Sequence, residues 1–134
     1  PSLYDYNIIP VAWGGPAGFA FEIETSAPAE TFTIPIAEGG AGFTRDFTIS
    51  WGDGSASVIT AYDDSEAEQE YADAGTHYQL IENGGTCEFF GWNDDGDSSK
   101  LIGIPKATYD PGFEALRFHG CDNLVTIDDS IEEV

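Results

Sequence analysis

Positive charge is what this sequence has least of. Four Lys and Arg stand against 25 Asp and Glu, a formal net charge of −21 over 134 residues. Nucleic-acid binding depends on cations that displace counterions from phosphate, so the composition argues against a nucleic-acid partner. Anionic membrane surfaces repel the chain for the same reason. Long apolar runs are also missing: nothing approaches the roughly 20 residues of a membrane span, so no membrane insertion is expected. Cysteine is scarce, with only Cys87 and Cys121. One disulfide between them would stabilise the fold by about 4 kcal/mol through loop closure. Two buried free thiols fit the sequence equally well, which leaves the redox compartment open.

Signatures of catalysis are lacking as well. The chain has no phosphate loop, no zinc-ligand spacing and no dinucleotide fingerprint. His77 and His119 are the only imidazole bases, and each reads as a structural residue. Pairs of carboxylates are trivially available among so many acids and carry no signal without geometry. The expectation is a protein that is not an enzyme and has no cofactor apart from the calcium candidate below. The opening Pro1-Ser2-Leu3-Tyr4-Asp5-Tyr6 has no basic region followed by an apolar one, so no signal peptide is visible. Either a leader has been removed or the protein is made inside a cell, as virion proteins are. A starting Pro fits the second case.

What is present is a core-forming, turn-rich chain of about one domain. Apolar residues make up 41%, with nine Phe, six Tyr and three Trp to fill a core, and 16 Gly and seven Pro punctuate it. Residues 19–25 alternate apolar with small or polar side chains, the period of a half-buried strand. Residues 31–36 repeat the pattern, with Pro35 marking an edge or strand end. Residues 43–51 put Phe47, Ile49 and Trp51 on one side, and Gly52-Asp53-Gly54-Ser55 then forms a turn. Further short strands are expected at 57–62, 76–82, 88–92, 100–104 and 114–119. The acidic stretch 63–70 reads as one helical turn or a solvated loop. Turns every 8–12 residues or so are the pattern of an antiparallel sandwich.

The last stretch has a different rhythm. Apolar positions at 116, 118, 121, 124 and 127 resemble one turn of a leucine-rich repeat: a short strand, a Cys or Asn corner, then a return. One repeat cannot bury its own face and must pack on the sandwich or on another chain. An acidic tail, Asp128, Asp129, Glu132 and Glu133, follows.

Two segments carry a family resemblance. Phe47-Thr48-Ile49-Ser50-Trp51-Gly52-Asp53-Gly54-Ser55, followed by Tyr71-Ala72-Asp73-Ala74-Gly75-Thr76 and a strand, resembles the polycystic kidney disease (PKD) domain. That family is an immunoglobulin-like β-sandwich marked by a WGDG turn and a later Tyr…Ala-Gly-Thr-Tyr segment. The resemblance implies that Trp51 anchors the core and that Asp53 accepts hydrogen bonds across a turn permitted by Gly52 and Gly54. Here Glu70 precedes Tyr71 without the family's usual His, and His77 lies between Thr76 and Tyr78. Downstream, residues 93–104 and 120–124 look like segments that follow the WGDG domain in BspA-type leucine-rich bacterial surface proteins and in some phage structural proteins.

Three further features are candidates for binding. Asn93, Asp95 and Asp97 sit at alternate positions, as at the start of a calcium loop, but Ser98 and Ile104 stand where that loop needs Gly and Glu. Trp13 and Trp92 are candidates for stacking on sugar rings or on a neighbouring subunit, while packing within the fold is the more ordinary fate of Trp. The apolar N-terminal stretch, residues 3–13, suits docking on a partner or strand addition to a neighbouring sheet.

The reading is therefore an all-β, immunoglobulin/PKD-like antiparallel β-sandwich with a short C-terminal leucine-rich-repeat-like extension. Its parts are an N-terminal docking segment (1–16), the sandwich (17–105) and the extension with its acidic tail (106–134). The expected function is a non-catalytic structural or adhesive component of an outer surface. A decoration or fibre-associated protein on a virion exterior leads, with capsid, tail or surface-assembly subunits as partners. The alternatives are an extracellular or cell-surface bacterial adhesion module, or a carbohydrate-binding module that recognises surface glycans.

Overall fold

A computed structural model describes residues 18–38, 40–82, 84–93, 96–107 and 112–127. The N-terminal segment with Trp13, Asp95, and the acidic tail lie outside the described residues. Those described form eleven strands: β1 (Gly18–Thr25), β2 (Glu30–Thr33), β3 (Arg45–Ser50), β4 (Ala56–Ile59), β5 (Glu68–Tyr71), β6 (Gly75–Glu82), β7 (Thr86–Cys87), β8 (Phe89–Asn93), β9 (Leu101–Ala107), β10 (Ala115–His119) and β11 (Thr126–Ile127). Single 3-10 turns at Gly40–Gly42, Ser65–Ala67 and Ser98–Lys100 are the helical segments among them. The fold is all-β. No helix of the described residues is long and apolar enough to cross a membrane.

One large sheet runs in the order β11-β9-β1-β6-β3-β4, with β7 pairing on β3. Its centre is antiparallel: Phe19, Phe21 and Ile23 of β1 lie opposite Ile81, Gln79 and His77 of β6. Period-two patterning turns Phe19, Phe21 and Ile23 inward, at 1% exposure or less, while Glu24 on the other face is exposed. That inner face meets two small sheets, antiparallel β2–β5 and parallel β8–β10. The contact is largely aromatic: the Phe21 ring lies 6.3 Å from Phe32 and 5.1 Å from Phe90, and Phe19 lies 5.7 Å from Phe90. Burying each such side chain contributes roughly 1.5–3 kcal/mol, so this shared face is the main cohesive element.

Two strands fall where the sequence pattern is weak. Within the acidic stretch, Asp64 accepts a hydrogen bond from the Glu66 amide at 3.0 Å and caps the 3-10 turn. β5 follows and pairs with β2, Glu30 opposite Tyr71. Tyr71 is the one residue of β5 that is buried, so there is no alternation to betray the strand. β7 continues the line of β6 on β3 after a two-residue slip, from Ile49 opposite Ile81 to Arg45 opposite Cys87.

The C-terminal strands depart from a purely antiparallel plan. β10 runs parallel to β8 in a register offset by 26 residues (Ala115 opposite Phe89), and β11 runs parallel to β9 with an offset of 23 (Thr126 opposite Gly103). Parallel neighbours need a crossover; here β9 itself supplies it, by crossing to the large sheet between β8 and β10. The corners stack too: Asn123 Nδ2 donates to the Ser99 carbonyl at 2.8 Å, and the Val125 amide to the Ile102 carbonyl at 3.1 Å. β8 and β9 thus each take a parallel neighbour from the C-terminal strands.

A buried cation organises the loop between β2 and β3. Arg45 is 3% exposed and donates through Nη1 to the carbonyls of Gly40 and Phe43 (2.5 and 2.7 Å). Nη2 donates to the Glu38 carbonyl at 2.9 Å and to that of Ile36. The rings of Phe43 and Phe89 flank the guanidinium at 5.6 and 5.8 Å. Burial lowers the Arg45 pKa from its ordinary value, and the nearby charges of Cys87 and Glu88 act the other way. Main-chain carbonyls, rather than a carboxylate, satisfy this charge, and the planar fork is what reaches four of them. Arg45→Met is expected to destabilise the protein by about 3 kcal/mol, because the buried Ile36 carbonyl and three part-buried ones lose their donor. Arg45→Lys should recover less than half of the loss. Urea-unfolding midpoints at constant slope measure both, and a loss under about 1 kcal/mol for Arg45→Met would contradict this role.

Candidate functional site

The most constrained place in the fold is the turn after β3. The Trp51 amide donates to the Ser55 carbonyl at 3.0 Å, and the indole Nε1 donates to Ser57 Oγ at 3.0 Å. Trp51 is fully buried. Gly52 has φ of 85°, and a Cβ there would fall 2.1 Å from the Tyr78 carbonyl oxygen, so no other residue fits. Asp53 Oδ1 accepts from the Ser55 amide (2.9 Å) and hydroxyl (2.5 Å), while Oδ2 accepts from Gln69 Nε2 at 2.6 Å. Desolvation pushes the Asp53 carboxyl up, but the Ser55 and Gln69 hydrogen bonds together outweigh it and hold the group below its ordinary value. Gly54 completes the turn at φ of 93°.

Tyr71 joins this turn to the second layer. Its hydroxyl donates to the Trp51 carbonyl at 2.8 Å and accepts from Gln79 Nε2 at 2.5 Å, in the interior. Burial first of all raises the Tyr71 pKa far above its ordinary value, so the hydroxyl stays a donor. The His77 ring stacks on the Tyr71 ring at 3.9 Å, and its Nε2 lies 3.0 Å from Thr25 Oγ1. The two separated motif segments, 47–55 and 71–76, are therefore one hydrogen-bonded unit in space. Gln69 and Gln79 belong to that unit and escape sequence reading. Gln79 occupies a core position in the alternation of β6, and a glutamine among apolar neighbours is the only clue to its buried partner.

The other candidate residues are scattered. Asp97 Oδ2 accepts from the Thr33 amide at 2.8 Å, and Oδ1 pairs with Lys100 Nζ at 3.0 Å. Lys100 also meets Glu30 at 3.4 Å and donates to the Thr31 carbonyl at 2.7 Å. Asp97 is thus a cross-link between β2 and the corner before β9, with both oxygens engaged. The side chain of Asn93 lies, like Asp95, outside the described residues, and no three His, Cys, Asp or Glu among the described residues are grouped to hold a metal ion. Trp92 is 3% exposed and packs edge-on against Phe32 and Phe90, at 6.2 and 5.8 Å, in place of an open stacking platform. It also helps to line a groove of about 340 Å³ with Pro35 and Glu38.

Cys87 and Cys121 are free, buried thiols rather than a bridge. Burial pushes Cys87 up to about 12 and Cys121 up to about 11, which removes thiolate character at neutral pH. His119 is exposed at the end of β10.

Comparison with protein-family models, curated proteins and solved structures finds no match to this chain.

The Asp53 hydrogen bonds carry a pH dependence. A carboxyl whose pKa is lower folded than unfolded stabilises above the unfolded value and loses that contribution as pH falls through the folded one. Wild type should therefore lose stability steeply below pH about 4, and Asp53→Asn should be less stable at pH 7 and show a shallower acid slope. Thermal melts from pH 7 to pH 2.5 would measure it; parallel curves for the two proteins would contradict it.

Proposed function

We propose that the chain is a PKD-like β-sandwich with a short leucine-rich-repeat-like extension, serving as a non-catalytic structural or adhesive component of an outer surface. The observation that carries this reading is the Tyr71 hydroxyl on the Trp51 carbonyl, 2.8 Å long, which unites the WGDG turn with the later tyrosine segment. Ionisable groups elsewhere support it, since they serve as cross-links. Of the four Lys and Arg, Arg45 is enclosed by carbonyls, Lys100 joins Glu30 and Asp97, and Arg117 pairs with Glu38 at 3.2 Å. Carboxylates left over give the outside a strongly negative field that favours solubility.

A virion exterior is the setting we favour, because a net charge of −21 is repelled by packaged nucleic acid. The second reading, a bacterial cell-surface adhesion module, draws on the parallel pairings of β10 on β8 and β11 on β9. The carbohydrate-binding reading loses Trp92 to the core, and its other candidate, Trp13, lies outside the described residues.

Immunogold labelling with antibody to the folded chain tests the proposal. Label at regular spacing on intact particles, or on the envelope of intact cells, is the expected result and separates the two settings. Label confined to the soluble interior of lysed cells would overturn the surface assignment.

A further inference from the structure

The outer face of the large sheet carries an apolar pair whose burial the inner core does not explain. Alternation turns Ala20 of β1 away from the side of Phe19 and Phe21, and Leu80 of β6 away from that of Gln79 and Ile81. Among the described residues, neither joins the core cluster formed on the inner face. Both are nonetheless buried, at 0% and 2% exposure, whereas Val58 on the same outer face of β4 is 54% exposed. The neighbours of Leu80 are too short to close over it, since Ala20 and Ser50 stand opposite it on either side. A Cβ on Gly18 would fall 2.6 Å from Leu80 Cδ1, so Leu80 leans towards the point where the chain enters β1. Tyr78, the next residue along this face, is engaged with Glu22 opposite it. Burial first, then the hydrogen bond and charge of Glu22, push the Tyr78 hydroxyl up to about 12.

The structure holds a single chain, so the cover over Leu80 and Ala20 is supplied by that chain itself. We infer that the apolar N-terminal stretch, residues 3–13, lies across the outer face of the large sheet and covers Leu80 and Ala20. Connectivity brings it there, because it leads into Gly18, which touches the Leu80 position. From Trp13 to Gly18 is five residues, a span of at most about 17 Å. Gly14-Gly15-Pro16 within that span are turn residues, which let the chain fold back over the strand it precedes. Composition suits the face as well: Ile8, Ile9, Val11 and Trp13 have apolar area to bury, and Asp5 is the one charged residue of the stretch. The acidic tail does not suit it. Asp128, Asp129, Glu132 and Glu133 would meet like charge from Glu22, Glu24, Asp46 and Glu82 around the same face. The link from β9 to Phe113 leads to the other side, since the Phe113 ring lies 5.0 Å from Phe19 on the inner face. The N-terminal stretch thus forms a third layer in its own chain rather than a strand offered to a neighbour.

Nuclear Overhauser spectroscopy on the full 134-residue chain tests this. The Leu80 methyl protons should give cross-peaks to side-chain protons of residues 3–13, as contact between apolar groups requires. In a mixture of labelled and unlabelled chains, the same cross-peaks should be absent from the spectrum filtered for contacts between chains. A variant carrying Ile8→Ser, Ile9→Ser and Val11→Ser gives a second readout with Nile red, a neutral dye that the acidic surface does not repel. Its fluorescence should rise by about threefold over wild type as the apolar patch is uncovered, with the Trp51 indole signal unshifted. If the variant fails to fold, the cross-peaks of the unaltered chain decide alone. Leu80 cross-peaks that run only to residues 105–111 or 128–134 would overturn the inference by naming another cover. Cross-peaks confined to the spectrum between chains would do so by making a second copy the occupant, and so would Leu80 methyls in contact with their sheet neighbours alone.

Discussion

The hydroxyl of Tyr71 is the contact on which most of the architecture depends. A phenol buried in a core must find partners, or its burial costs about 1–3 kcal/mol. It finds two, the Trp51 carbonyl and the Gln79 side chain. Through the first it fixes the end of β3, where Gly52 already lies too close to the Tyr78 carbonyl for any side chain. Through the second it reaches the centre of the large sheet. Gln69, two residues before Tyr71, holds Asp53 at 2.6 Å, so β5 grips the turn at two points. β2 is then placed by pairing with β5, and with β2 comes Phe32 against Phe21. A local turn thereby sets the relation between layers.

Scarcity of positive charge explains how the remaining seams are held. With so few cations, each described one has a specific structural assignment. Arg45 collects four carbonyls of the loop between β2 and β3, and Lys100 ties β2 to the corner before β9 through Asp97, Glu30 and the Thr31 carbonyl. Surface ion pairs as such contribute little, on the order of 0–1 kcal/mol. The burial of Arg45 sets it apart, because the Ile36 carbonyl it satisfies is buried and has no water to turn to. The same scarcity leaves the exterior anionic and so narrows the partners the protein can meet.

The sequence made some of this legible and hid the rest for identifiable reasons. Alternation at Phe19, Phe21 and Ile23, and at Phe47, Ile49 and Trp51, identified strands because it sets large apolar side chains on one face and small or polar ones on the other. β5 escaped because a single buried tyrosine leaves no period to detect, and β7 because two residues are too few. Parallel pairing of β8 with β10 depends on contacts 26 residues apart, which no local pattern encodes. The apolar spacing from 116 to 127 falls on β10, the turn after it and β11, while the strands they pair with, β8 and β9, carry Phe90, Trp92, Leu101 and Ile104, residues that read as ordinary sandwich strands. Trp92 illustrates the same limit: an acidic turn follows it in sequence, while Phe32, remote in sequence, packs edge-on against it in space. Arg45 gave no signal, since a cation satisfied by main-chain carbonyls has no partner type to search for.

The linkage through Tyr71 is most directly tested by a double-mutant cycle on Tyr71→Phe and Gln79→Leu, followed by urea unfolding. If the hydroxyl joins the turn to the sheet as described, each single change leaves a buried group unpaired, and the double variant is more stable than the two losses summed by about 1 kcal/mol. Losses that add to within about 0.3 kcal/mol would mean that the two side chains do not share a bond, and would contradict the account.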